Sequence, residues 1–453
     1  MPRIESAGAR TRFRRAPMMR RSRVALWSAR AWRPRLVFWL GALTVGLVSV
    51  AFAKLADGAQ QLFGTMTSAS GFGTALMLLV PPLGFALCSY LAITFFPNSG
   101  GSGIPQAIAA RHLETHAERQ RLLSLKVGFG KVVLTLAGLL SGASIGREGP
   151  TVQVGAAIMM AVGRAGGAAQ ERALILAGSA AGIAAAFNTP LAGIVFAIEE
   201  MGKTYQARTN GLVISAVVVA GLASLALNGN YTYFGGSDAV VGSAGDWLLV
   251  GVCGVGGGAV GALFSASALA CLKRLRRWTG GARRRIVGAA AVCGLLVAVI
   301  GLASGGATFG TGYEQARTAI EGGPLSPLYF AGKFLAGLAS MVSGIPGGIF
   351  APSLAVGAGL GSTIGLLVGG SGGLAAMLGM TGYFAGVVQA PMTAFVIIIE
   401  MTGSQSNVVP VMLTALLGFG TARLISGAPL YHSLSRDFVA EALRRRRAQE
   451  GRA

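Results

Sequence analysis

Two groups of carboxylates in this chain stand in stretches where water should be scarce. Glu148 lies in Gly146-Arg147-Glu148-Gly149-Pro150, and Glu199-Glu200 close the apolar run Leu191–Ile198. A carboxylate within an apolar stretch is costly and marks an ion or proton path by default. For Glu148 the alternative is a structural pair with adjacent Arg147. For Glu200 it is an ordinary acid facing water near Lys203. Adjacent helical residues point about 100° apart, so Glu199 and Glu200 have different tasks.

Three glycine- and proline-rich segments supply a complementary chemistry. They are Gly101-Ser102-Gly103-Ile104-Pro105, Gly146–Pro150 and Gly344-Ile345-Pro346-Gly347-Gly348-Ile349-Phe350-Ala351-Pro352. Each precedes an apolar, helix-like run. Glycine allows an exposed turn and proline suits a first helical turn, so each segment can present free backbone N–H groups. A helix start carries roughly +0.5 of an elementary charge and attracts anions. Several such starts converging in mid-bilayer would hold a small anion without burying a full positive charge. Lys131 and Lys333 also fall in apolar stretches, where each could raise the local potential or pair with an acid. The four Cys and three His show no metal-like spacing, so no metal site and no cofactor are expected.

The elements that must position these groups belong in lipid. The chain is 53% hydrophobic and 12% charged, against about 25% charged in a soluble domain. Leu36–Ala53, Thr74–Phe96, Gly211–Leu227 and Ile286–Ser304 approach or reach the length of a span. Others, Thr151–Val162, Ala173–Phe187 and Leu191–Ile198, are too short to cross upright. Broken helices at membrane depth persist only where they pack in protein or line a cavity.

The two halves also echo each other. Asn188–Glu199 aligns without a gap on Gln389–Glu400, sharing a Pro and the final Glu. Pro150 and Pro190 are spaced almost as Pro352 and Pro391 are, and Ser102–Ala107 lies more weakly on Thr311–Ala316. Interrupted segments in matching places of two halves point to a transporter's midplane site. Glu199 has a repeat partner in Glu400, which predicts a structural task for that pair. Glu200 has none, because Met401 takes its place.

Charge sets the topology. Residues 1–35 hold eleven Arg and one Glu, 273–285 hold seven Lys or Arg and no acid, and 111–126 and 431–453 are also net basic. All flank apolar runs, so the reading is positive-inside, with both termini cytoplasmic and no nucleic-acid partner. Ala51-Phe52-Ala53 imitates a signal-peptidase site, but the basic lead is long for a signal peptide, and Leu36 onward reads as a retained span. An organelle transit peptide is the alternative for the Arg-rich start.

Taken together and in order, the three segments and Tyr431 in Pro429-Leu430-Tyr431 resemble the signature of the CLC chloride channel and transporter family, over about residues 36–440. The closest likeness is to a prokaryotic chloride/proton exchanger without regulatory CBS domains. The resemblance implies that Ser102 and Tyr431 offer hydroxyls to a central chloride, with the backbone amides of Ile349 and Phe350 completing the site. It implies that Glu148 is an external gate, occupying an anion position when ionised and swinging away when protonated. Glu200 is similar to the exchangers' internal proton acceptor. Gly101, Gly103, Pro105, Gly146, Arg147, Gly149, Pro150, Gly347 and Gly348 support these positions.

The expected fold is an all-α polytopic membrane protein of two inverted repeats, with tilted and broken helices. A basic arm (1–35) precedes a membrane domain (36–440, halves near 74–228 and 247–427) and a basic tail (441–453). The expected function is chloride/proton exchange by a homodimer in a bacterial inner membrane, and the protein is not expected to be an enzyme. A passive chloride channel on the same fold is the nearest rival. Ser102 disfavours fluoride exchange and nitrate preference, and an intramembrane enzyme would need a nucleophile–base pair that the three His do not supply.

Overall fold

The computed structural model describes residues 29–450 except 69–70, 166–169, 203–206, 230 and 238. Most of the basic arm, Lys203 and Asp238 therefore lie outside the described residues. In chain order the helices are α1 Ala29–Ser68, α2 Gly73–Thr94, α3 Ile104–His112, α4 His116–Leu122, α5 Leu125–Leu140, α6 Glu148–Ala165, α7 Glu171–Phe187 and α8 Pro190–Phe196, which runs on as a π-turn, Ala197–Gly202. There follow α9 Ala207–Asn228, α10 Ala244–Thr279, α11 Arg283–Ala303, α12 Tyr313–Ile320, α13 Tyr329–Val342, α14 Phe350–Val368, α15 Gly372–Val388, α16 Pro391–Thr402, α17 Val408–Ile425 and α18 Leu430–Glu450. No strand occurs among the described residues, only two isolated bridges between loops. The fold is an all-α bundle, and among the described residues eight helical segments are long and apolar enough to cross a bilayer.

The first helix is longer than its apolar run. Hydrophobicity stops at Ala53, yet α1 continues to Ser68. Its second half carries polar groups that meet the protein instead of lipid. Asp57 pairs with Arg147, 2.5 Å away, and Gln60 Oε1 accepts from Thr311 N at 2.9 Å. Charged residues ended the sequence pattern there because their partners lie far along the chain.

Pairs of matching elements show the repeat directly. Helices α7 and α15 end at left-handed caps of nearly equal φ, Asn188 at 56° and Gln389 at 57°. The caps preceding α8 and α16 also match, with Thr189 at φ −126°, ψ 80° and Ala390 at φ −129°, ψ 83°. The backbone therefore repeats even where the side chains differ.

The sign of the repeat follows from two carboxylates. Glu199 accepts from Met392 N at 3.1 Å and Thr393 N at 2.6 Å, at the start of α16. Glu400 accepts from Leu191 N at 3.0 Å and Ala192 N at 2.6 Å, at the start of α8. Each helix thus caps the N-terminus of the other with the acid at its own C-terminal end. That exchange is possible only if the two helices run antiparallel about a pseudo-two-fold axis crossing them, which is an inverted repeat. The orphan N–H groups of both helix starts are satisfied, and each acid sits at a positive dipole end. Glu400→Ala is expected to cost about 1–2 kcal/mol of stability, and Glu199→Ala a similar amount, as lowered melting temperatures in detergent would report.

Glycine sets the closeness of the core. A Cβ on Gly155 of α6 would stand 2.3 Å from the carbonyl oxygen of Gly178 in α7, and one on Gly379 of α15 would stand 2.4 Å from that of Gly357 in α14. The same glycine contact recurs at matching places in both halves.

Candidate functional site

The three glycine-rich segments meet. Gly146 N donates to Gly348 O and Gly348 N to Gly146 O, both at 2.7 Å, while Gly347 N donates to Gly101 O at 3.1 Å. Gly101 N in turn reaches Gly344 O and Ile345 O at 3.2 and 3.1 Å. Residues scattered over 250 positions of chain therefore form one hydrogen-bonded node between the starts of α3, α6 and α14. The turns were expected to be exposed, and except at Gly344 they are buried or nearly so. The reason is that each loop satisfies its peptide groups on the others, so no water is needed.

Glycine is required here for conformation and space. Gly103, the residue before α3, has φ 102°, which side-chain-bearing residues rarely adopt. Its N–H is held by Gln106 Oε1 at 3.1 Å, and Pro105 follows within the first turn. A Cβ on Gly149 would lie 2.5 Å from Ser102 Oγ, so only glycine lets α6 approach that hydroxyl. Pro150 sits in the first turn of α6, where no intrahelical N–H is lost.

Both buried lysines hold loop carbonyls, and neither pairs with an acid. Lys131 Nζ donates to Gly101 O at 2.7 Å and, more weakly, to Gly100 O at 3.4 Å. Lys333 Nζ donates to Gly310 O at 2.7 Å and Thr308 O at 3.0 Å. They are repeat partners, tethering the loops that lead into α3 and α12, and Lys131 holds the loop that carries Ser102.

Within the node, unpaired polar groups converge. Ser102 Oγ, the Tyr431 hydroxyl and both carboxylate oxygens of Glu148 are buried without a hydrogen-bond partner among the described residues. The phenol of Tyr431 lies opposite the hydroxyl of Ser102. Its ring stacks on Phe350, with centroids 5.9 Å apart and planes at 21°. Phe350 opens α14, Ile349 is the residue before it, and their N–H groups have no backbone acceptor among the described residues. The Glu148 carboxylate faces the backbone N–H groups of Glu148 and Ala351, at the starts of α6 and α14, without forming a hydrogen bond of normal geometry. Buried polar atoms are nearly always paired. Two hydroxyls, two helix starts and a carboxylate are thus left unpaired together in the buried node.

Arg147 forms its salt bridge with Asp57 and not with Glu148, although its charge is felt there. Its guanidinium donates to Ala53 O at 2.6 Å and Asp57 at 2.5 Å, and sits 6.0 Å from the centroid of the Tyr233 ring. The structural-pair alternative for Glu148 is thereby disfavoured. Asp57 and Tyr233 were not legible as site residues; an acid ending the first apolar run was the only signal.

Glu200 lies in the π-turn, 3% exposed, with Oε1 3.3 Å from His432 Nδ1. His432 adjoins Tyr431, which places the second carboxylate beside the node from another side. A cleft of about 440 Å³ between α2, α10, α13 and α18 reaches Ser102 and Pro105.

Short helices related by an inverted repeat, with their starts directed at a buried polar node, define a multi-pass membrane transport fold. The chain belongs to the voltage gated chloride channel family, the CLC channels and transporters, whose pattern matches residues 83–423. It is 33% identical over 421 residues to the H(+)/Cl(-) exchange transporter ClcA of Yersinia pseudotuberculosis serotype IB, covering 86% of this chain and 85% of that protein. The ClcA of Citrobacter koseri is 32% identical over 415 residues, with the same coverage. Among solved structures, a slow cyanobacterial Cl⁻/H⁺ antiporter superimposes with TM-score 0.78 at 25% identity, covering 90% of this chain and 98% of its own. A CLC-type fluoride/proton antiporter shares the fold at TM-score 0.75 and 21% identity, over 88% and 96% of the two chains.

Proposed function

We propose that this protein exchanges chloride for protons across a bacterial inner membrane, as a homodimer with a pore in each subunit and both termini cytoplasmic. The observation that carries the reading is the set of unpaired donors, Ser102 Oγ, the Tyr431 hydroxyl and the amides of Ile349 and Phe350, gathered around a buried carboxylate. Hydroxyls and amides bind a halide without a net charge, so the ion is held and also released. The cleft at Ser102 gives the ion a way in from one face.

Glu148 is the gate. Ionised, its carboxylate occupies the helix starts of α6 and α14 and competes with chloride for the same field. Protonated, it gives up that attraction and leaves, and chloride takes its place. Glu200 is the internal proton acceptor, and protons pass between the two acids over water. The exchanger names of the sequence relatives support coupling over passive conduction, as does the presence of Glu200 itself.

The decisive experiment is a chloride gradient imposed on liposomes containing the purified protein. Uphill proton movement is expected, whereas a passive channel would move chloride with no proton dependence of its reversal potential. In Glu200→Gln, proton flux should fall about 100-fold, the usual worth of a positioned proton-transfer group, while chloride still moves. An unchanged coupling ratio would return Glu200 to an ordinary acid. Cross-linking in native membranes tests the dimer.

A further inference from the structure

We propose that His432 is the residue that passes protons between the aqueous face and Glu200, an inference that rests on the reading of Glu200 as proton acceptor. Three observations converge on it. The His432 Nδ1 and Glu200 Oε1 atoms stand 3.3 Å apart, and the histidine side chain is 14% accessible against 3% for the glutamate. Histidine therefore lies on the wetter side of a nearly sealed acid. The helix that carries Glu200 also breaks the molecule's own symmetry at this point. Its repeat partner α16 stays α-helical through Met401, whereas the chain at Ala197–Gly202 widens into a π-turn. A π-turn costs regular hydrogen bonding and is found mostly at functional sites. Arg111 at the end of α3 donates to Met201 O and so ties down the turn next to Glu200.

Of the elements packed on α18, α3 brings Arg111 and His112, and α10 brings Arg276, which pairs with Asp437. Helix α15 contributes no ionised side chain, only Tyr383. From the π-turn, Glu199 is spent on the start of α16. The ion-pair contact recorded for Glu200 is with His432.

Imidazole changes charge between about pH 5 and 8, so it can both load and unload near neutrality. In the forward step the imidazolium gives its Nδ1 proton to Oε1, which leaves a neutral ring and a protonated acid. Because Nδ1 is buried against the acid, the neutral ring then turns to bring its bare Nδ1 to the accessible side, takes a proton there from hydronium, and turns back. Each turn moves one proton and leaves the histidine as it began. The two atoms are within reach but not aligned as a hydrogen bond, so direct transfer needs a rotation that aligns them.

The test measures chloride and proton fluxes separately in liposomes for His432→Asn, His432→Ala and Glu200→Gln. In His432→Asn, proton flux should drop about tenfold, less than for a terminal acceptor because water can still reach Glu200 slowly. Chloride movement should persist, and the dependence of proton flux on pH at the His432 face should flatten. Imidazole on that face should restore part of the proton flux of His432→Ala. Unchanged proton flux and pH profile in His432→Asn, with Glu200→Gln inactive for protons, overturns the role of His432 alone. Proton transport by Glu200→Gln overturns the reading of Glu200 and this proposal with it. Parallel loss of chloride and proton movement that imidazole does not restore would reduce His432 to a packing residue.

Discussion

Glu148→Ala is expected to abolish chloride-driven proton pumping while chloride continues to cross. The argument is electrostatic. The wild-type carboxylate is fully buried, forms no salt bridge among the described residues, and faces amides at the starts of α6 and α14. Remove it and those amides still attract an anion, so chloride fills the position without competition. No group is then left to carry a proton away from the node. Proton flux should fall by about 100-fold or more, and chloride movement should lose the wild-type rise on acidification, since protonation no longer clears the path. Glu148→Gln, a shape-matched neutral group, should also stop protons. If Glu148 served only to cap a helix, alanine would lower stability and chloride flux together. Retained proton uptake in liposomes of the alanine variant would refute the gate.

The same residues show what a linear reading can and cannot reach. The glycine- and proline-rich segments, the repeat and the short helices were legible, because turns and helix starts are encoded within a few residues. Expected and observed elements agree closely where lipid alone dictates them: Thr74–Phe96 is realised as Gly73–Thr94, and Ile286–Ser304 as Arg283–Ala303. The partners of buried charges were not legible. Arg147 could be set only against its neighbour Glu148, yet its acid is Asp57, ninety positions earlier. Lys131 and Lys333 could be given no role because their partners are carbonyls, which every residue has. Glu200 and His432 are 232 positions apart, and no local pattern joins them. Glu199 and Glu400 are the instructive exception. Their symmetry in sequence foretold a shared structural task, although the swap of each acid onto the other's helix needed three dimensions.

The largest effect on the fold itself is expected from a glycine that touches no ion. Gly155 lies in α6, seven residues beyond the gate, where a side chain would begin 2.3 Å from the carbonyl oxygen of Gly178. That oxygen belongs to the backbone of α7 and cannot swing aside as a side chain could. Gly155→Leu must therefore push α6 off α7, and two rigid helices separate along their length rather than at one point. Overpacking a core typically costs about 1–3 kcal/mol, and a backbone obstacle places this change at the upper end. Glu148 is displaced too, because it is the first residue of that helix. Gly357→Leu, facing Gly379 O through the symmetric contact in α14 and α15, should be equally damaging. Gly58→Leu on α1 provides the comparison, since a side chain there would meet nothing within 4 Å. Size-exclusion profiles and melting in detergent should show both core variants aggregated or strongly destabilised, and Gly58→Leu near wild type. A well-folded Gly155→Leu protein with normal chloride flux would show that α6 and α7 do not need this close approach. The placement of Glu148 would then have to come from the loop node alone.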